Sequence, residues 1–224
     1  MIREDYLMRH LRQFTQILAQ VLLRKKNGAY EQALEDIQLT GQNLLEIDLH
    51  AIEAITYEGL QNALRVHKIT DAPSTALVAE LLLHQGDCFA EIGQTEAATQ
   101  SRTLALHLYL DLYTSGKWEN ATDHLPTIDA LLNHFPDPFV LDPDTQHLLF
   151  RYLDATGHYA RAEDVLFHLA AARPNRTLYN EGYDFFQRLL RTPYRRLKAG
   201  NLPYEEVREG FETFKEQFSS TASD

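Results

Sequence analysis

Four times the chain repeats the pattern Gly-x-[Tyr/Thr/Trp]-x-x-Ala: at Gly28-Ala29-Tyr30-Glu31-Gln32-Ala33, Gly93-Gln94-Thr95-Glu96-Ala97-Ala98, Gly116-Lys117-Trp118-Glu119-Asn120-Ala121 and Gly157-His158-Tyr159-Ala160-Arg161-Ala162. Glycine ends a helix because it enters the left-handed conformation without a Cβ penalty. The aromatic two residues later can pack across the turn, and the small Ala lets the next helix lie close to the first. The pattern therefore predicts helical hairpins recurring along the chain, and a fifth, weaker copy is expected at Gly200.

The intervening segments have helical periodicity. Leu7, Leu11, Phe14, Leu18 and Val21 step by four and three, with Ile17 and Leu22 widening the stripe, which predicts one amphipathic helix ending at Asn27-Gly28. Lys25 and Lys26 suit the negative end of its dipole. A second helix starts at Tyr30, uses Ala33, Leu34 and Ile37 as its apolar face, and runs to about Leu45. Residues 95–115 must form one long helix, the second of one hairpin and the first of the next. Loops are expected at residues 68–74, where Asp71-Ala72-Pro73-Ser74 offers turn and N-cap residues, and at 134–143, where Pro136, Pro138 and Pro143 oppose helix. The expected organisation is a single helical-repeat domain over residues 1–218 with a candidate hinge at 134–143, followed by a frayed polar tail at 219–224.

These turns resemble those of tetratricopeptide repeats, which carry Gly, an aromatic and Ala at the same offsets. The best copy spans residues 144–174, matching at Gly157, Tyr159, Ala162 and Pro174, although Phe150 stands where that family has a small residue; Gly86, Phe89, Gly93 and Ala98 fall in the same register. The turn glycines are separated by 65, 23 and 41 residues rather than a constant 34. The resemblance thus implies an irregular all-α array of stacked hairpins, an α-α superhelix. More closely, Met1-Ile2-Arg3-x-Asp5-Tyr6 with Lys25-Lys26-x-Gly28-x-Tyr30-Glu31-x-Ala33-Leu34 resembles an uncharacterised bacterial family with a tetratricopeptide-like helical region. That implies a bacterial, cytosolic setting and supplies no active site.

Composition narrows the function. With 44% apolar residues, only 10 Gly and 8 Pro, the chain can build a continuous helical core. A net charge of -11 repels phosphate backbones and anionic lipid, so neither nucleic acid nor membrane is an expected partner. The opening residues lack the apolar core of a signal peptide and no stretch approaches a bilayer span, so a cytoplasmic location is expected. Cys88 stands alone, which excludes an internal disulfide and fits a reducing compartment.

A search for chemistry finds little. His107 and Asp111 are four apart, and His84 and Asp87 three apart beside Cys88, but neither pair recruits a third ligand locally. No His-Glu-x-x-His, Cys-x-x-Cys or phosphate-cradling glycine motif occurs, so neither metal nor cofactor is expected. Cys88, within an apolar run, reads as a small core residue. The carboxylate pairs Glu46/Asp48 and Glu163/Asp164 read as solvated.

Two surfaces remain as candidates for binding a protein or peptide. Tyr179, Tyr183, Phe185 and Phe186, followed by Arg188, Arg191, Arg195 and Arg196, form the one basic-aromatic concentration of an acidic chain. By offset from the turn glycines, a concave surface would carry Lys25, Lys26, Glu80, Asp87, Tyr113, His147, Arg151 and Asp154, a mixture of charges without a uniform clamp. The expected function is a noncatalytic interaction module that can pair as a homodimer. The alternatives are a ligand-responsive regulator moving at the proline-rich hinge, and a helical enzyme with a His/Asp/Glu metal site.

Overall fold

The computed structural model describes residues 14, 16–46, 48–49, 56–69, 71–116 and 125–218. Among them the regular secondary structure is entirely helical. The chain divides into two compact units, 1–131 and 132–224, and the proline-rich stretch 134–143 opens the second. That stretch carries only a 3-10 turn, Pro138–Val140.

In the first unit, helix α1 covers residues 16–26, α2 Tyr30–Thr40 with a π turn at Gly41–Leu45, α3 Tyr57–Val66, α4 Ala72–Glu91 and α5 Thr95–Thr114. Residue 95 thus opens a single long helix, as its apolar run requires. Asp71 caps α4, its carboxylate accepting the Ser74 amide at 2.9 Å, with Pro73 in the first turn, where its missing N–H costs nothing. The α4–α5 hairpin buries Val78, Leu81, Leu82, Phe89, Leu104, Leu106 and Leu108; α2 packs on α4 through Ala33 and Ile37. α3 reaches α5 by stacking Tyr57 on the buried His107.

The turn glycines behave alike. Gly28, Gly93, Gly116 and Gly157 have φ of 74°, 79°, 62° and 82°. At three of them the following residue donates to the carbonyl five back: Ala29 to Arg24 at 2.9 Å, Gln94 to Phe89 at 2.8 Å and His158 to Leu153 at 2.8 Å. This is the bond that satisfies an orphan carbonyl at a helix end. The motif alanines Ala33, Ala98 and Ala162 are buried. Trp118 and Ala121 lie outside the described residues, as do Leu7 and Leu11 of the first apolar stripe. Gly86 shows why small residues recur here: a Cβ on it would sit 3.0 Å from the Ala98 carbonyl oxygen, so the α4–α5 crossing is closer than a side chain permits.

Helix α6 spans Leu125–Leu132 and reaches the unit boundary. The second unit continues with α7 Pro143–Thr156, α8 Tyr159–Ala172, α9 Arg176–Leu189, α10 Tyr194–Ala199 and α11 Tyr204–Phe218. Its core is aromatic: Phe186 and Phe214 are fully buried, with ring centroids 5.6 Å apart, and Phe167, Phe211 and Phe218 surround them. Phe150, the large residue at the expected small position, packs edge-on against Phe185 of α9 at 5.5 Å.

The expected fifth turn needs correction. Gly200 has φ of -82°, and the left-handed residue is Asn201 at 56°. Gly200 instead accepts the Ala160 amide at 3.1 Å, and a Cβ there would lie 2.5 Å from the Gly157 carbonyl oxygen. It is small so that the end of α10 can dock on the α7–α8 turn.

Candidate functional site

The expected concave surface is crossed by internal ion pairs in both units. In the first, Asp87 on α4 accepts from Lys25 of α1 at 2.7 Å and from Arg102 of α5 at 2.9 Å. Lys25 also meets His84 Nδ1 at 3.1 Å, while His84 Nε2 lies 3.3 Å from Glu80, whose carboxylate accepts the Tyr109 hydroxyl. Burial pushes the Asp87 carboxyl up, but hydrogen bonds and charge from Lys25 and Arg102 outweigh it and hold it below the usual range. His84 and Asp87 are therefore members of a helix-joining network. Lys26 is exposed and Tyr113 half-buried.

In the second unit, Glu181 of α9 meets His147 Nε2 at 2.5 Å and accepts from Arg151; Arg188 of α9 donates to Asp154 of α7. The Asp154 carboxyl stays above its ordinary value because burial exceeds the effect of Arg188. Burial also pushes Glu181 up, but the hydrogen bonds and charges of His147 and Arg151 prevail and hold it at about 2. The consequence is a stability term with a definite sign. A depressed folded-state pKa contributes fully above the unfolded value, near 4.3, and is lost as pH falls toward 2. Allowing for solvent screening of this half-exposed site, Glu181→Gln should cost about 1 kcal/mol at pH 7 and only about a quarter of that near pH 2.5, measured by urea unfolding at each pH.

The basic-aromatic concentration separates into two parts. Phe185 and Phe186 are buried and Tyr179 and Tyr183 half-buried, Tyr179 stacking on Phe214 and Tyr183 meeting Phe211 edge-on, so the aromatics belong to the core. Arg188 is engaged by Asp154 and lies over the Phe185 ring. What remains outside is Arg191, Arg195, Arg196 and Lys198, all exposed and without an ion pair among the described residues, together with Tyr194 at 64% exposure. Lys198 was not singled out by its sequence context; its place beside the arginines on α10 follows from the short helix. No acid occurs between Asp184 and Glu205.

A six-residue helix does not persist by itself. α10 is held because Leu197 and Leu202 are buried and Gly200 bonds the α7–α8 turn. The cations are thus presented on a fixed support.

Other chemistry finds no comparable arrangement. Cys88 is buried and its thiol is pushed up, by burial first, with Lys25 opposing, the reverse of an activated nucleophile. Among the described residues no group of three His, Cys, Asp or Glu side chains is placed to hold a metal ion, and no helix is long and apolar enough to cross a membrane.

A family model described as a family of unknown function (DUF6483) matches residues 1–219. The chain belongs to that family. Neither the curated proteins nor the solved structures yield a match. DUF6483 membership covers both compact units and leaves the role of α10 to be argued from its geometry.

Proposed function

We propose that this DUF6483 protein is a noncatalytic, tetratricopeptide-like interaction module that receives an acidic segment of a partner protein on the outward face of α10 and the end of α9. The observation that carries this reading is the set of four exposed, unpaired cations, Arg195, Arg196 and Lys198 on the docked α10 and Arg191 in the turn before it, in a chain of net charge -11. Most of the other expected binding residues are engaged within the fold, Lys25 with Asp87, His147 and Arg151 with Glu181, Arg188 with Asp154, while Lys26 is exposed. Arginine offers a planar fork for carboxylates, and Tyr194 adds an amphipathic ring beside it.

The repeat character is supported by the second unit. The His147–Glu181 and Arg188–Asp154 bridges each span 34 residues, the tetratricopeptide period, which supports reading α7 and α9 as equivalent helices of successive repeats.

Charge reversal tests the site. Wild type should retain a defined set of proteins in an affinity capture read by mass spectrometry, and acidic peptides derived from them should bind with an affinity that falls as salt rises. Arg191→Glu/Arg195→Glu/Arg196→Glu, with an unchanged circular dichroism spectrum, should weaken those peptides by at least about tenfold, since like charges then face the ligand. Equal affinity for both forms would refute the location.

A further inference from the structure

Glu163 departs from the solvated reading. It lies on α8, partly buried against α11, where a Cβ at Gly210 would overlap its carboxylate and would sit 3.1 Å from the Phe186 ring of α9. The charged groups around it are Asp164 on its own helix and Glu206 on α11, both acids. Among the described residues no hydrogen bond or ion pair reaches the Glu163 carboxylate. A half-buried acid with two acidic neighbours and no donor is relieved by a proton.

We propose that docking of α11 onto α8 is coupled to proton uptake by Glu163, forming a latch that is tight when the carboxyl is neutral and loosens when it ionises. Burial first, then the charges of Asp164 and Glu206, push this carboxyl up to about 7. The raised value sets the sign: released from the interface, Glu163 ionises near 4.3, so the opened state binds fewer protons across the interval between. The latch is fully effective below about pH 4.5, weakens as pH rises through 7 and changes little above that. Under it lies the aromatic core. Phe211 and Phe214 of α11 cover Phe186, Tyr179 and Tyr183, so opening uncovers rings that are otherwise shielded. The device is independent of where a partner binds.

Amide hydrogen exchange of α11, corrected for intrinsic rates and compared at about pH 6 and pH 8, tests it. The linkage predicts a several-fold loss of protection in the wild type over that interval, at most about tenfold. Glu163→Gln should abolish the pH dependence and keep at pH 8 the protection seen at pH 6. Persistence of the wild-type dependence in that variant would overturn the latch. If the amide perturbs packing, Glu206→Gln decides: removing one neighbouring charge should move the midpoint to lower pH, whereas an unmoved midpoint overturns the proposal.

Discussion

Phe214→Ala should destabilise the second unit by about 3–5 kcal/mol, because removing a fully buried ring loses its transfer free energy and leaves a cavity that rigid neighbours do not fill. Those neighbours are themselves aromatic: Phe218 at 5.2 Å, Phe186 at 5.6 Å, Tyr179 at 5.7 Å and Phe167 at 5.8 Å between ring centroids. Rings held edge-on and tilted cannot collapse inward without abandoning their own packing. Phe214→Leu, which keeps most of the volume, should cost distinctly less. The ring also explains Gly182, since a Cβ there would overlap it. Gly182→Ala alone should therefore destabilise, while Gly182→Ala with Phe214→Ala should fall short of the sum by about 1 kcal/mol, the added methyl entering the vacated space. Chemical denaturation of the three variants measures this coupling, and strict additivity would show that the two positions do not share a site.

Asp87→Ala should cost about 2 kcal/mol, the largest effect of any single charge in the first unit. Asp87 is the common acceptor of Lys25 and Arg102, whose side chains are only 18% and 16% exposed. Removing it leaves two poorly hydrated cations facing each other, whereas Lys25→Met leaves Asp87 still paired with Arg102 and should cost less. The double variant Asp87→Ala/Lys25→Met should recover part of the loss by deleting one stranded charge. Because Lys25 lies on α1 and Asp87 on α4, hydrogen exchange should show residues 16–26 losing protection in Asp87→Ala before the α4–α5 hairpin does. Equal costs for the two single variants would mean that the aspartate merely pairs with Lys25 at the surface.

Much of the fold was legible because its signals are local. A turn glycine, the alanine five residues later and an Asp before a proline act within one or two helical turns. Their effects, positive φ at Gly28, Gly93, Gly116 and Gly157, buried Ala33, Ala98 and Ala162, and capping at Asp71, follow from backbone sterics and nearby hydrogen bonds. The candidate site was legible only in part. The run of arginines from Arg188 to Arg196 stands out by composition, yet which of them stay open depends on Asp154, 34 residues before Arg188.

The sequence alone determined that this chain is helical and where its hairpin turns close, since glycine conformation, helix periodicity and capping are properties of neighbouring residues. Only the tertiary structure decided that Gly200 is small for docking rather than turning, that the aromatics at 179–186 face inward while Arg191, Arg195, Arg196 and Lys198 face out, and that Glu163 is half-buried against Gly210. Those outcomes depend on which distant helix covers a face, and burial, ion pairing and desolvation are set by that neighbour rather than by adjacent residues along the chain.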